Sequence, residues 1–301
     1  MRSQPLLSTA LLSATILPIV TSSKIPSLPW KAGLSGFPGI QTLDVFNTSF
    51  APYISWYSNY LPLTPTLETN THTVLGAPML WGKGDQCLSG ADGPVDADRY
   101  SNYTTYVLPA GSTPAENPAI MFGFYEPDCN CDSSSHIPNV TQGVQAWNKL
   151  LKPLGARGVP LGSPPMCTQL DQSWLSAFAA QGVTWYVTSV HVNKPSAAEG
   201  KAVVEYYVQK FGRPVWVSEF TCVNDKDWSS CGNQSVVNTF IDEMVEYFEG
   251  NDDVVAYGAN TGEGVPGVWN LFANTWPQQL TATGKHYQAV LESLLEDKES
   301  C

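Results

Sequence analysis

The sequence predicts an α/β protein built as an eight-stranded (β/α)8, or TIM, barrel. Three observations carry this. Strand-like and helical patterns alternate through the second half of the chain. The length beyond residue 23 is close to the ~250 residues typical of such barrels. A hydrophobic fraction of 43% supplies a sizeable core. Alternating strands and helices build βαβ units, because parallel neighbours need a crossover connection. The rival, an open doubly wound sheet, is disfavoured because no Gly-rich phosphate loop follows any early strand. No internal repeat or linker divides the chain, so residues 24–301 read as one domain.

The elements follow in order. Residues 120–126 (IMFGFYE) form a short apolar run, read as a strand. Residues 141–151 have helical spacing and stop before Pro153. Residues 159–163 are strand-like, and 172–181 are helical up to Gly182. Residues 183–191 are β-branched and aromatic, hence a strand. Residues 197–211 predict a helix, with Gly212 just beyond its end. Residues 215–219 form a strand. Residues 235–249 predict an amphipathic helix, with Phe240, Met244 and Tyr247 on one face and Gly250 closing it. Residues 254–257 form the last strand and 286–298 the last helix. The first half is weaker in pattern; 31–34, 53–56 and 74–80 supply strands one to three.

The net charge of −12 excludes a nucleic acid partner and an anionic membrane surface, since both need clustered Lys and Arg. A neutral substrate carries no such penalty. Residues 1–23 read as a signal peptide: Arg2 is the positive start, 6–20 is mostly apolar, and Thr21, Ser22 and Ser23 are small. The apolar run is too short and interrupted to span a bilayer. We expect a monomeric secreted protein, extracellular or in the cell wall. Seven cysteines fit an oxidising compartment and leave at least one thiol over. Cys222 and Cys231 close a short loop and are the best candidate pair. Sequons at Asn47, Asn102, Asn139 and Asn233 are possible glycosylation sites. Cys129 and Cys131 stand one residue apart, with no second pair or His cluster, so no metal is expected. No cofactor is called for. Ten Trp suit sugar binding as well as a core, because sugar C–H faces stack on indole rings.

In a TIM barrel the chemistry sits at the C-terminal ends of strands. Glu126 ends the predicted fourth strand and Glu219 the seventh. Desolvating a carboxylate is costly, so two at such positions point to function more than one would. A retaining glycosidase uses such a pair about 5–5.5 Å apart, one as acid/base and one as nucleophile. The acid must keep its proton, which apolar neighbours or a nearby negative charge favour. No Gly-x-Ser-x-Gly elbow appears, and the sparse histidines disfavour a Ser-His-Asp hydrolase.

The runs KAGLSGF, APMLWG, GFYEPD, LGSP, SVHVN and RPVWVSEFTC, in that order, resemble glycoside hydrolase family 128 over nearly the whole chain from Lys31. The resemblance implies a clan A barrel, a retaining mechanism and β-1,3-glucan, polymer or oligosaccharide, as the ligand. It implies Glu126 as acid/base and Glu219 as nucleophile. It also puts Trp56, Tyr57 and His191 among the sugar-binding positions, with Tyr125 and Asn193 as further substrate-binding candidates; Trp81, ending strand three, is a sugar platform or barrel-rim packing. The sequence departs from the family pattern in three places. Tyr125 replaces the Asn before the acid/base, Asn193 replaces a Tyr that donates to the nucleophile, and Ala259 replaces part of a Trp-bearing run. The reading is therefore a β-1,3-glucan-active hydrolase, with a weakened or inactive barrel that binds gluco-oligosaccharides as the alternative. A cell-wall structural or adhesion protein is a third class. Protein recovered from culture medium is expected to begin near Lys24 and to lose mass on deglycosylation; intact, unglycosylated cytosolic protein would refute secretion.

Overall fold

The structure, a computed structural model, describes residues 24–36, 48–69, 71–83, 93–109, 117–130, 134–170, 173–262, 264–275 and 278–299. The expected signal peptide, the sequon at Asn47, and Cys87, Cys131 and Cys301 lie outside these residues. The fold is mixed α/β with a mostly parallel sheet. Its strands are β1 (Ala32–Ser35), β2 (Trp56–Ser58), β3 (Leu67–Glu68), β4 (Thr73–Gly76), β5 (Met121–Phe122), β6 (Leu161–Gly162), β7 (Thr188–Lys194), β8 (Val215–Asn224), β9 (Ser229–Ser230) and β10 (Val254–Asn260). The larger sheet runs β3-β4-β2-β1-β10-β8-β7, with β9 paired to β8, and β5 pairs with β6 separately. Among the strand pairs of the described residues, β3–β4 and β8–β9 are antiparallel and the others parallel. Parallel bridges Met79↔Phe122 and Gly162↔Val187 connect the small sheet to the chain just after β4 and just before β7.

The helices are α1 (Gly93–Asn102), α2 (Val140–Leu150), α3 (Lys152–Ala156), α4 (Trp174–Ala180), α5 (Ala197–Phe211), α6 (Gln234–Gly250) and α7 (Ala282–Glu299). Their ends follow side-chain chemistry. Ser196 caps α5 by accepting from Glu199 N, and Gly212 ends it at φ 58°. Asn139 and Asn233 cap α2 and α6 with their side-chain oxygens. These two sequon residues thus have a folding role independent of any glycan. No helix among the described residues is long and apolar enough to cross a membrane.

Several boundaries differ from the sequence expectation. Residues 51–53 form a 3-10 turn, because Pro52 cannot donate to a ladder, and the strand starts at Trp56. The apolar run 120–126 yields only the two residues of β5; the chain reaches a left-handed φ of 47° at Glu126. β7 begins and ends later than 183–191, and β8 continues five residues past Glu219 to Asn224. His191 and Glu219 are therefore interior strand residues, not strand ends.

Strand alternation sorts side chains into two layers. Ala32, Leu34, Tyr57, Val190, Val192, Val217, Phe220 and Tyr257 join the core under the helices. Trp56, Met79, Phe122, Trp216 and Ala256 form a second cluster on the other face of the strands. Trp56 meets Trp216 edge-on at 4.9 Å, and Phe122 meets the same indole at 5.4 Å. Glycines make room for this ring. A Cβ on Gly33 would lie 2.3 Å from Trp56 Cε2, and one on Gly258 would lie 2.8 Å from the same side chain. Gly33→Ala is expected to destabilise by about 1–3 kcal/mol through overpacking, read as a lower urea midpoint. Gly250→Ala, where nothing lies within 4 Å, should lose no stability.

Candidate active site

Glu219 reaches its position through an irregularity in β8. Against β7, Val190 pairs with Val217 but His191 pairs with Glu219; against β10, Tyr257 pairs with Val217 and Ala259 with Phe220. Both ladders thus skip a residue of β8 between Val217 and Phe220. A regular strand could not place Val217 and Phe220, three apart, in the same core layer; the extra residue allows it. The bulge turns Glu219 away from that layer, beside His191 and Asn193.

Glu219 is 2% exposed and accepts three hydrogen bonds. Tyr60 Oη donates to Oε2 at 2.5 Å, Tyr125 Oη donates to the same oxygen at 3.1 Å, and Asn193 Nδ2 donates to Oε1 at 3.1 Å. Glu126, 8% exposed, lies 2.7 Å from His191 Nδ1. The other ring nitrogen, Nε2, is 4.0 Å from Glu219 Oε2, too long for a hydrogen bond but close for charge. One imidazole thus stands between the two carboxylates. Burial pushes the Glu126 carboxyl above its usual range, reinforced by Glu219 and Asp128 and opposed by His191. For His191, burial favours the neutral ring, but Glu219, Glu126 and Asp128 together outweigh it and raise its pKa. Burial, then Glu219, holds the phenols of Tyr60 and Tyr125 protonated as donors.

Neighbouring loops fix this arrangement. Trp81 stacks on Tyr125 with centroids 4.2 Å apart and planes 6° from parallel, and the Arg99 guanidinium lies 4.1 Å from the Trp81 ring centroid. Gln169 Oε1 accepts from Asn193 N at 2.7 Å, steadying the donor to Glu219. Asp128, just past Pro127, accepts from Cys167 N, Thr168 N and Thr168 Oγ1 at 2.9, 3.0 and 2.8 Å and so orients that loop. Disulfides join Cys129 to Cys167 and Cys222 to Cys231; the second is the pair expected from sequence. Glu126, Cys129 and Cys167 bring ligand atoms within 4.8 Å of one another, but the disulfide leaves neither sulfur as a thiolate for a metal.

A cleft of about 720 Å³ opens over these groups, lined by Tyr60, Trp81, Tyr125, Glu126, Asn193 and Glu219 among others. His191 is buried behind them at 1% exposure. Trp81 Nε1 and Asn193 Oδ1, both buried, have no hydrogen-bond partner among the described residues. Trp56 and Tyr57 are not brought into the cleft. Trp56 sits in the inner aromatic cluster, its indole N–H donating to Lys31 O, and Tyr57 faces the helices with its hydroxyl donating to Pro65 O. Ala259 also faces the helices, and Asn260 lines the cleft instead. Sequence reasoning missed Tyr60, Gln169 and Trp228. Tyr60 and Trp228 have left-handed φ of 58° and 56°, and Gln169 65°, which no periodic pattern announces.

The family described as glycosyl hydrolase catalytic core matches residues 36–287. The chain is 30% identical to an oligosaccharide-binding protein of glycoside hydrolase family 128, subgroup VII, from Trichoderma gamsii, covering 94% of this chain and 99% of that one with a TM-score of 0.73. It is 32% identical to a subgroup VII oligosaccharide-binding protein from Cryptococcus neoformans, covering 93% and 99% with a TM-score of 0.71. A subgroup I endo-β-1,3-glucanase from Amycolatopsis mediterranei, in complex with laminaritriose, shares the fold at 17% identity, covering 86% and 99% with a TM-score of 0.59. No curated protein matches the chain. The chain belongs to glycoside hydrolase family 128.

Folding raises the proton affinity of His191, so the stabilisation this gives is complete below its ordinary pKa of 6.5 and drains away as pH climbs through the raised value. The unfolding free energy should therefore fall above pH 6.5, by up to about 1.4 kcal/mol per pH unit, read as a falling thermal midpoint. His191→Gln should remove that slope; an unchanged slope would place the responsible proton elsewhere.

Proposed function

We propose that this protein binds β-1,3-gluco-oligosaccharides in the cleft over Glu126 and Glu219 and has little hydrolytic turnover. Tyr125 carries this reading. Its phenol takes the place of a small amide, donates to Glu219 Oε2 at 3.1 Å and stacks on Trp81. With Tyr60 on the same oxygen, Glu219 is well satisfied in the ground state. Ground-state stabilisation of this kind raises the barrier unless it strengthens in the transition state. The Asn expected in this family before the acid/base would reach a sugar hydroxyl; a phenol whose hydroxyl is engaged with Glu219 is badly placed to copy it. The two relatives above are oligosaccharide-binding proteins, which supports the same reading.

The second reading, a retaining hydrolase, is favoured by the two glutamates themselves. Glu126, with a raised pKa, would protonate the leaving oxygen, and Glu219 would attack the anomeric carbon. His191 would hold both carboxylates in register and balance their charge. Closure of the strands into a complete (β/α)8 barrel belongs to the same proposal; the bridges Met79↔Phe122 and Gly162↔Val187 support it. Secretion belongs there too, supported by two disulfides and the leader-like composition of residues 1–23.

Wild-type protein is expected to bind β-1,3-gluco-oligosaccharides by calorimetry and to release little reducing sugar from linear β-1,3-glucan. Tyr125→Asn should raise turnover, by about tenfold or more if it recovers a transition-state hydrogen bond. Glu126→Gln or Glu219→Gln should abolish any turnover and leave binding largely intact. Turnover indifferent to both Gln substitutions would place the chemistry elsewhere.

A further inference from the structure

The β8–β9 hairpin holds an aromatic side chain at the cleft that nothing in the central site uses. Trp228 lines the same cleft as Glu126 and Glu219 and is 44% exposed. A singly exposed large apolar residue is ordinary on a protein surface. The manner in which this one is held is not. Its φ is 56°, a left-handed conformation that a bulky residue adopts only where its surroundings impose it.

The surroundings are correspondingly rigid. Val223 and Asn224 pair with Ser230 and Ser229, and the Cys222–Cys231 disulfide closes the hairpin. Trp228 N donates to Asn224 O at 2.8 Å. Asp227 Oδ1 accepts from Ser229 N at 3.0 Å and Ser229 Oγ at 2.6 Å. The indole N–H donates to Gly264 O at 3.3 Å, which fixes the ring against the loop after β10. A largely buried ion pair, Lys194 to Asp225, ties the hairpin to the end of β7. Asp225, three residues before Trp228, also lines the cleft and carries a hydroxyl acceptor. A pre-organised indole in a cleft that also presents carboxylates suits one ligand chemistry above others: an uncharged ring with a C–H face and hydroxyl edges.

We infer that Trp228 is a stacking platform for an outer sugar ring, so that the cleft favours longer chains over those that fill only the space above Glu126 and Glu219. The inference rests on the carbohydrate-binding reading and adds a chain-length selector to it. Immobilising the ring before the ligand arrives lowers the ordering entropy lost on binding, which is where a rigid aromatic anchor gains affinity.

The test is a calorimetric series with β-1,3-gluco-oligosaccharides from disaccharide to hexasaccharide, on wild type, Trp228→Ala and Trp228→Phe. Wild-type affinity should climb with chain length. Trp228→Ala should leave the shortest binding chains unchanged and weaken the longest by about tenfold, as for loss of an aromatic anchor. Trp228→Phe should recover part of that loss, and the unfolding temperatures of all three should agree. Identical length profiles in wild type and Trp228→Ala would overturn this inference alone. So would an equal loss at every length with a lowered unfolding temperature, which would mark a structural role. A wild type that binds none of the series would overturn the carbohydrate-binding reading and this inference with it.

Discussion

Two carboxylates, 8% and 2% exposed, share one buried imidazole, and most of the local architecture serves that arrangement. Burying an isolated carboxylate carries a desolvation penalty of several kcal/mol, and two of like charge repel as well. His191 meets both problems from one position, at 2.7 Å from Glu126 and 4.0 Å from Glu219. Its own burial opposes the charge it must carry, and the two glutamates overcome that opposition. The bulge in β8 sets Glu219 beside it. The left-handed backbone at Glu126 aims the other carboxylate back towards the ring. Such a conformation costs on the order of 1 kcal/mol and persists only where the surroundings impose it. Here they include the Cys129–Cys167 disulfide just beyond it and the hold of Asp128 on residues 167 and 168.

Glu219 shows why a pair of facing glutamates does not settle catalysis. Three donors converge on its two oxygens, two of them phenols kept protonated by burial. Each donor stabilises the carboxylate, and a stabilised carboxylate is a poorer nucleophile. Asn193 supplies an amide donor, and phenol donation comes from Tyr60 and Tyr125. Glu219 is thus richly supplied with donors, and the Tyr125 ring fills the space beside it. A ligand cradle tolerates both features more readily than a transition-state cradle does.

The alternation of strands and helices was legible because β-branched and aromatic runs differ plainly from amphipathic helical spacing. The helix over Ala197–Phe211 was read to the residue, since Ser196 and Gly212 mark its ends chemically. The short ladders of β5 and β6 were over-read, because an apolar run records burial and not hydrogen bonding; Pro160 and the turn at Glu126 limit pairing there. Glu126, Glu219, His191, Trp81, Tyr125 and Asn193 were all named from sequence, and they meet in space. Trp56 and Tyr57 were named with them and do not. Adjacent strand residues face opposite sides, so at most one could point inward, and that one lies in the packed aromatic cluster around Trp216. Tyr60 was invisible for the converse reason: it lies just beyond a strand and enters the site through a backbone conformation that its residue type does not advertise.

The two-layer construction explains how one scaffold accommodates either chemistry. The core under the helices, where Val190, Val192, Val217 and Phe220 pack, carries none of the side chains that touch the carboxylates. The cleft groups Trp81 and Tyr125 belong instead to the smaller cluster on the other face, with Trp56 and Trp216 filling the space behind them. A side chain such as Tyr125 therefore shapes the site's donors and outline without entering the packing of the larger core. Its bulk is absorbed by a stack on Trp81, whose far side is engaged by the Arg99 guanidinium. Ligand contact and folding thus draw on different faces of the same strands. The glutamate pair is held by its electrostatic fit with His191, a fit that needs no glycosidic bond to be broken.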